Sequence, residues 1–342
     1  MNPLVVAAID CGTNSIRLYV ARSTGAGSGA SGPSVVGAGS GASGPSVAGG
    51  AGLEELHREM TIVRLGQGVD ATGEFAAEAL ERVRAALDEY VTTALDLGAT
   101  RVRMVATSAA RDVSNRDAFL DLTAAALGRI TPGARAEVIA GTEEAELSYR
   151  GATAGLDAAD PALVVDLGGG STELVVGSGG TVAHAYSADI GCVRITERAL
   201  PSDPPTAAEV AEATFHIDAA LDEATAVVPL DGVRTWTGVA GTFTTLAALA
   251  HGLTEYDPAL IHGSRVPLGD LVALCRRLVR MSSAERLALG PMHPGRADVI
   301  GGGALVAMRL AERLAAVGVT ELTVSEHDIL DGVAMGLAAP GI

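Results

Sequence analysis

Apolar, β-branched runs broken by glycine-rich turns set the pattern of this chain. The sharpest case is Val164-Val165-Asp166-Leu167-Gly168-Gly169-Gly170-Ser171-Thr172-Glu173-Leu174-Val175-Val176. Its flanks read as buried strands, and the glycines between them as a tight hairpin whose backbone can approach a ligand closely. About 156 residues earlier, Val5-Val6-Ala7-Ala8-Ile9-Asp10-Cys11-Gly12-Thr13-Asn14-Ser15-Ile16-Arg17-Leu18 repeats the plan: strand, Asp, glycine turn, strand. Two such units one domain length apart suggest two similar lobes with their turns facing each other. Two unrelated hairpins are the plainer alternative. Periodicity predicts further strands over 4–10, 14–22, 59–65, 101–106, 136–139, 182–187, 235–239 and 321–324. Helical stripes cover 74–97, 118–127, 206–226, 268–279, 283–289 and 300–314, and helices open near 141, 192, 243 and 329.

One stretch breaks this α/β alternation. GAGSGASGPSV occupies 25–35 and recurs unchanged at 37–47, too poor in apolar residues to offset its ordering. Residues 23–53 are therefore expected to be a flexible insertion between two strands.

Composition narrows the rest. A length of 342 residues favours two domains with ample core, and 48% hydrophobic against 19% charged residues is ordinary for a globular chain. Aromatics are only 3%, which argues against base-stacking platforms, and the net charge of −17 argues against a nucleic-acid surface. All 24 basic residues are Arg, so phosphate contacts would be forked guanidinium contacts. Cys11, Cys192 and Cys275 show no pairing or metal spacing, which suits a reducing compartment. With no basic leader and no bilayer-length apolar run, the expectation is a cytoplasmic protein without membrane contact.

The turns carry the candidate chemistry. Consecutive N–H groups of Gly12, Thr13 and Asn14, and of Gly168, Gly169 and Gly170, would cradle an anion, with the Ser15, Ser171 and Thr172 hydroxyls as extra donors. Asp10 and Asp166, at the turn mouths, suit a divalent cation set against phosphate. Arg111 follows the 101–106 strand at its carboxyl end, where open α/β sheets place ligands, and reads either as a phosphate clamp or as a solvated Arg. Thr142 reads as an N-cap, and the Glu143–Glu144 pair either serves the helix dipole or supplies a general base. Gly241-Thr242 before a helix offers another anion site, and His327 is either a ligand or a capping residue.

Taken together, Asp10-Cys11-Gly12-Thr13-Asn14-Ser15, Gly141-Thr142-Glu143-Glu144-Ala145, Asp166 through Glu173, Gly191-Cys192-Val193-Arg194, Gly238 through Thr242 and Ser325-Glu326-His327-Asp328 resemble the exopolyphosphatase/guanosine pentaphosphate phosphatase family. The likeness spans nearly the whole chain outside 23–53 and is nearest to its short two-domain members. It implies the actin/hexokinase/heat-shock-ATPase fold, two ribonuclease H-like α/β lobes around a cleft. The lobes would be 1–139 and 140–325, with 326–342 returning as a helix to the first. It implies Glu144 as catalytic base, Arg111 on phosphate, and Asp10, Asp166 and Glu173 around phosphate and Mg²⁺, with Arg17 as a further phosphate-binding residue beside the first turn. Mn²⁺ or an added monovalent cation is compatible with that set. The implied substrate is inorganic polyphosphate, with guanosine penta- or tetraphosphate of the stringent response as the alternative, in a homodimer. A kinase of the same superfamily and a non-catalytic nucleotide sensor are the remaining alternatives.

Overall fold

A computed structural model describes residues 3–24, 52–111, 113–156 and 159–339. Two mixed sheets carry the fold. The first contains β1 (Val5–Cys11), β2 (Ser15–Ser23), β3 (Leu53–Ile62), β4 (Arg101–Ala106) and β5 (Glu137–Val138), in the order β3-β2-β1-β4-β5. The second contains β6 (Ala162–Leu167), β7 (Thr172–Ser178), β8 (Thr181–Ala188), β9 (Thr235–Val239), β10 (Arg265–Pro267) and β11 (Glu321–Val324), in the order β10-β11-β9-β6-β7-β8. In each, an antiparallel three-strand meander (β1–β3, β6–β8) is extended from its first strand by parallel strands, β4 and β5 or β9 and β11. The antiparallel β10 is the second sheet's one addition. This is a duplicated α/β plan of two similar lobes, as the paired turns suggest, in the two-lobed architecture that the family resemblance implies.

The duplication extends to single residues. Asp10 pairs with Arg17 across β1–β2, and Asp166 pairs with Glu173 across β6–β7. Gly12 N–H donates to the Ser15 carbonyl (2.9 Å), and Gly168 N–H to the Ser171 carbonyl (3.1 Å). The central strands are buried on both faces, which is why β1 and β6 read as unbroken apolar runs rather than alternations.

Three boundaries differ from expectation for identifiable reasons. β3 starts at Leu53 rather than 59 and stops at Ile62, because Val63 and Arg64 turn their N–H groups onto the Asn14 carbonyl instead of extending the ladder. Its charged, half-buried sequence lacks a period-2 signal. The expected insertion loses both ends to the sheet, since Ser23 pairs with Leu53; residues 25–51 lie outside the described residues. The 240–250 helix starts at Ala240, three residues early, with φ +69° at that residue. Thr142 is not a cap, as the helix Gly141–Thr153 already begins at Gly141 behind Ala140.

That helix and the last one, Ile329–Ala338, cross between the sheets. Leu147 joins Val6, Tyr19, Ile329 and Val333 in a core against the first sheet, while Ala145, Tyr149 and Ala152 pack on Val164, Val175 and Val239 of the second. The crossing is close because both helices present glycine there: a Cβ on Gly151 would sit 1.7 Å from the Asp328 carbonyl oxygen, and one on Gly332 2.2 Å from that of Leu147. In an ordinary helix Gly→Ala gains up to about 1 kcal/mol. Here backbone meets backbone and cannot yield by a rotamer change, so overpacking outweighs propensity. Gly151→Ala should destabilise by about 1–3 kcal/mol, read as a lower urea midpoint; an unchanged or higher midpoint would show that the crossing can relax.

Candidate active site

The two turns meet at their tips. A Cβ on Gly169 would lie 2.9 Å from Thr13 Cβ, and one on Gly170 2.7 Å from Thr13 Oγ1 and 2.6 Å from Ser108 Oγ. Only glycine permits this contact. Around it opens a cleft of about 730 Å³. Gly12, Thr13, Asn14, Ser15 and Arg17 line it from the first lobe, and Gly168, Gly169, Gly170 and Ser171 from the second. Asp10, Asp166 and Glu144 complete its near wall.

The turns' carbonyls decide where their N–H groups point. Thr13 accepts from Gly66 N–H (2.8 Å), and Asn14 from Val63 and Arg64 N–H (3.0 and 2.8 Å). Gly168 accepts from Cys192 N–H (3.0 Å), and Gly169 from Val193 and Arg194 N–H (2.9 and 3.1 Å). In a planar trans peptide the carbonyl and the next N–H point in opposite directions. Holding the carbonyls back on the returning segments therefore turns the N–H groups of Asn14, Gly169 and Gly170 toward the cleft. Among the described residues no backbone acceptor takes the N–H of Gly169, Gly170 or Ser171. Such a run of free donors is an anion cradle.

Carboxylates crowd beside it. Asp10 Oδ2 accepts from Arg17 Nε and Nη2 (3.1 and 2.7 Å), and Arg17 Nη1 reaches on to Asp328, the N-cap of the final helix. Asp166 accepts from Ser148 Oγ (2.7 Å). Glu144 accepts from Arg111 Nη1 (2.8 Å), which also donates to the Ile139 carbonyl (3.3 Å). Burial is the largest influence on each and favours the neutral form. It raises Asp10 despite Arg17, raises Glu144 well above the usual carboxylate range with help from the Glu173 charge, and pushes Asp166 up to about 7.

Three expected ligands stand off the cleft wall: Arg111, which is turned onto Glu144 and the Ile139 carbonyl behind it, Thr172 and Glu173. Thr172 is fully buried, and its hydroxyl donates to the Ile190 carbonyl. That spends the donor expected for phosphate. Glu173 is 1% exposed and accepts from Ser187 Oγ (2.7 Å), so it acts on Glu144 and Asp166 through its field. For Thr172 and Glu173 the strand explains it: residues beyond Ser171 belong to the ladder between β6 and β8 rather than to the turn. The expected third glycine turn is occupied too, because Arg296 fills the space beside Gly241 and donates to its carbonyl (2.9 Å). His327 borders the cleft and is bonded to Asp331 (2.7 Å), which also holds Arg58. Ser148 was not singled out by the sequence, and Asp328 only as the end of the Ser325–Asp328 motif, with no role of its own. Ser148 lies one helical turn after Glu144, a spacing that puts the two on one face; nothing local marks Asp328 as the partner of Arg17.

A sequence profile of the Ppx/GppA phosphatase family matches residues 46–338. The chain belongs to that family. Over 335 residues it is 57% identical to exopolyphosphatase 2 of Mycobacterium tuberculosis, covering 97% of this chain and 98% of that protein. A guanosine-5'-triphosphate,3'-diphosphate pyrophosphatase of Photobacterium profundum is 29% identical across 92% of this chain but 56% of its own length. The crystal structure of an exopolyphosphatase-like protein superposes with a TM-score of 0.85 at 40% identity, over 98% of both chains.

For the Mg²⁺ expected from the resemblance, the residues offer a partial fit. Among the described residues Asp10 Oδ1 is buried without a hydrogen-bond partner, and Asp166 is crowded by like charge, so both would gain from a cation. Glu173 is spent on Ser187, and among the described residues no three His, Cys, Asp or Glu side chains already converge as a metal site. Among the described residues no helix is long and apolar enough to cross a membrane.

Crowding has a stability signature. Asp166 holds its proton more tightly folded than unfolded, so stability should fall as pH rises from about 4 through 7. Raising its pKa from the ordinary 3.8 to about 7 corresponds to at most about 4 kcal/mol. Asp166→Asn keeps an acceptor for Ser148 and removes this cost. In EDTA its melting temperature should exceed that of the wild type at pH 8, with the gap closing toward pH 4. A gap independent of pH would refute the assignment.

Proposed function

We propose that this protein is an exopolyphosphatase, a phosphoric anhydride hydrolase that releases the terminal phosphoryl group of inorganic polyphosphate to water. One observation carries the reading: a turn from each lobe directs unpaired N–H groups into a single cleft that also exposes Glu144. The 57% identity to an exopolyphosphatase over nearly the whole of both chains supports it.

In this mechanism the N–H groups of Asn14, Gly169, Gly170 and Ser171 hold the equatorial oxygens of the terminal phosphoryl, where charge develops. Glu144 orients a water in line with the breaking anhydride and accepts its proton. A basic Glu144 needs to be desolvated yet ionised. Burial and the Glu173 charge raise its proton affinity, and Arg111 opposes them. Arg111 meets the phosphate by sharing donors it now gives Glu144. Mg²⁺, held by Asp10 and Asp166, would neutralise phosphoryl charge when bound. A cytoplasmic homodimer completes the proposal, and light scattering tests the dimer.

The second reading is a guanosine pentaphosphate 5′-phosphohydrolase. The cleft runs past the turns to Tyr256, His262, Arg296 and Glu326, room enough for more than a phosphate chain. Phosphate release from short and long polyphosphate, the pentaphosphate nucleotide and ATP, with and without Mg²⁺, separates the two. Polyphosphate should give the highest kcat/KM, and a preference for the nucleotide would transfer the assignment.

Glu144→Gln keeps the shape and removes the base, so kcat should fall roughly 10²–10⁴-fold with substrate affinity largely retained. The wild-type rate should climb with pH as Glu144 ionises, and this acid limb should vanish in the variant. Near-normal turnover would exclude Glu144 as the base. Arg111→Lys replaces a fork with a point charge and should raise KM; unchanged KM and kcat would remove Arg111 from the phosphate site.

A further inference from the structure

One carbonyl of the glycine turn is held differently from its neighbours. Gly168 and Gly169 are gripped by backbone N–H groups at the start of the helix Cys192–Ala199, which almost any sequence would supply. The Gly170 carbonyl instead accepts from a side chain, Arg194 Nε, at 2.8 Å. The peptide joining Gly170 to Ser171 carries the last N–H of the cradle, so its orientation depends on that guanidinium.

The same group reaches two other parts of the site. Nη2 lies 3.3 Å from Ser108 Oγ, at the start of the short helix Ser108–Arg111 that ends in the phosphate-clamp candidate. Nη1 lies 3.2 Å from Asp70 Oδ1 on the first lobe. Asp70 also binds Arg198, whose hydrogen bonds hold the Asp70 carboxyl below its usual range. Arg194 is largely buried, its side chain 13% exposed, beside a smaller cavity of about 260 Å³ lined by Thr13, Asp70, Gly170 and Arg198. The guanidinium therefore spans the second-lobe turn, the Arg111 helix and the opposite lobe, and its planar fork suits three acceptors where a single ammonium does not.

We infer that Arg194 is a positioning residue: by holding back the Gly170 carbonyl it aims the Ser171 N–H at the transferring phosphoryl group, and through Asp70 it makes that aim depend on contact between the lobes. The inference rests on the hydrolase reading. It adds a residue that touches neither substrate nor water.

The test compares the wild type with Arg194→Ala, Asp70→Asn and the control Arg198→Ala, using tripolyphosphate turnover. Orthovanadate affinity, measured by calorimetry, adds a readout that needs no turnover. Arg194→Ala should lose roughly 10–100-fold in kcat and weaken orthovanadate binding, while KM stays within about threefold and the melting temperature holds. Free guanidinium ion, entering the small cavity, should restore part of the lost rate in Arg194→Ala and none in the wild type. Asp70→Asn should fall between, and Arg198→Ala near the wild type. The inference fails if Arg194→Ala keeps both its kcat and its orthovanadate affinity. It also fails if the losses track a lowered melting temperature and guanidinium rescues nothing. Should wild-type protein leave polyphosphate intact yet Arg194→Ala still bind orthovanadate more weakly, the substrate assignment falls and the role of Arg194 stands. Wild-type protein that neither turns over nor binds orthovanadate overturns both.

Discussion

Peptide planarity is the constraint on which this site depends. A turn cannot aim N–H groups at a ligand unless something takes its carbonyls on the opposite side. Each lobe answers in the same place, just after the third strand of its meander. Past β3, the segment 63–66 returns to the Thr13 and Asn14 carbonyls. Past β8, the start of the 192–199 helix returns to Gly168 and Gly169. The glycines at the contact points serve the same end. Gly66 lies against Thr13 and Gly191 against Gly169, each with a clearance of 2.3 Å for an absent Cβ. Sequence, turn and return segment form one device, present twice.

The copies are unequal in charge, and the inequality makes chemistry possible. Opposite Asp10 the first lobe places Arg17; opposite Asp166 the second places Glu173. The first pair is nearly self-compensating, and Arg17 further ties it to Asp328 on the helix that crosses between the sheets. The second pair concentrates negative charge: the Glu173 charge raises the proton affinity of both Asp166 and Glu144, while burial raises that of Glu173 itself. A site with that imbalance attracts cations and holds a base of raised pKa, both of which suit attack on a polyanion.

What could be read from the sequence follows the range of the interactions involved. Both turns, the strands that flank them and the helix opening at Glu143–Glu144 rest on local patterns and on the internal repeat. Those were legible. The roles of Thr172 and Glu173 were overextended, because the residue at which a turn yields to a ladder depends on register with β8, a partner strand not yet placed. Asp328 stood in a recognisable motif, but its pairing could not be read because its partner, Arg17, is 311 positions away. The start of β3 was hidden by charges that suit a half-buried strand as well as they suit a loop.

The crossing of the 141–153 and 329–338 helices shows why so much of the site depends on distant contacts. Glu144 and Ser148, which holds Asp166, ride on the first helix, and Asp328 caps the second. Gly151 and Gly332 set how closely the two approach. Any rotation of one lobe against the other must move these helices past each other. It would thereby shift the base, the Asp166 support and the Arg17–Asp328 bridge together. Arg194 and Asp70 span the lobes at another point, beside the turn tips. Two interlobe ties, one through packed backbone and one through charge, therefore bracket the cleft. The cradle and Glu144 face one another across the cleft only in the arrangement that satisfies both.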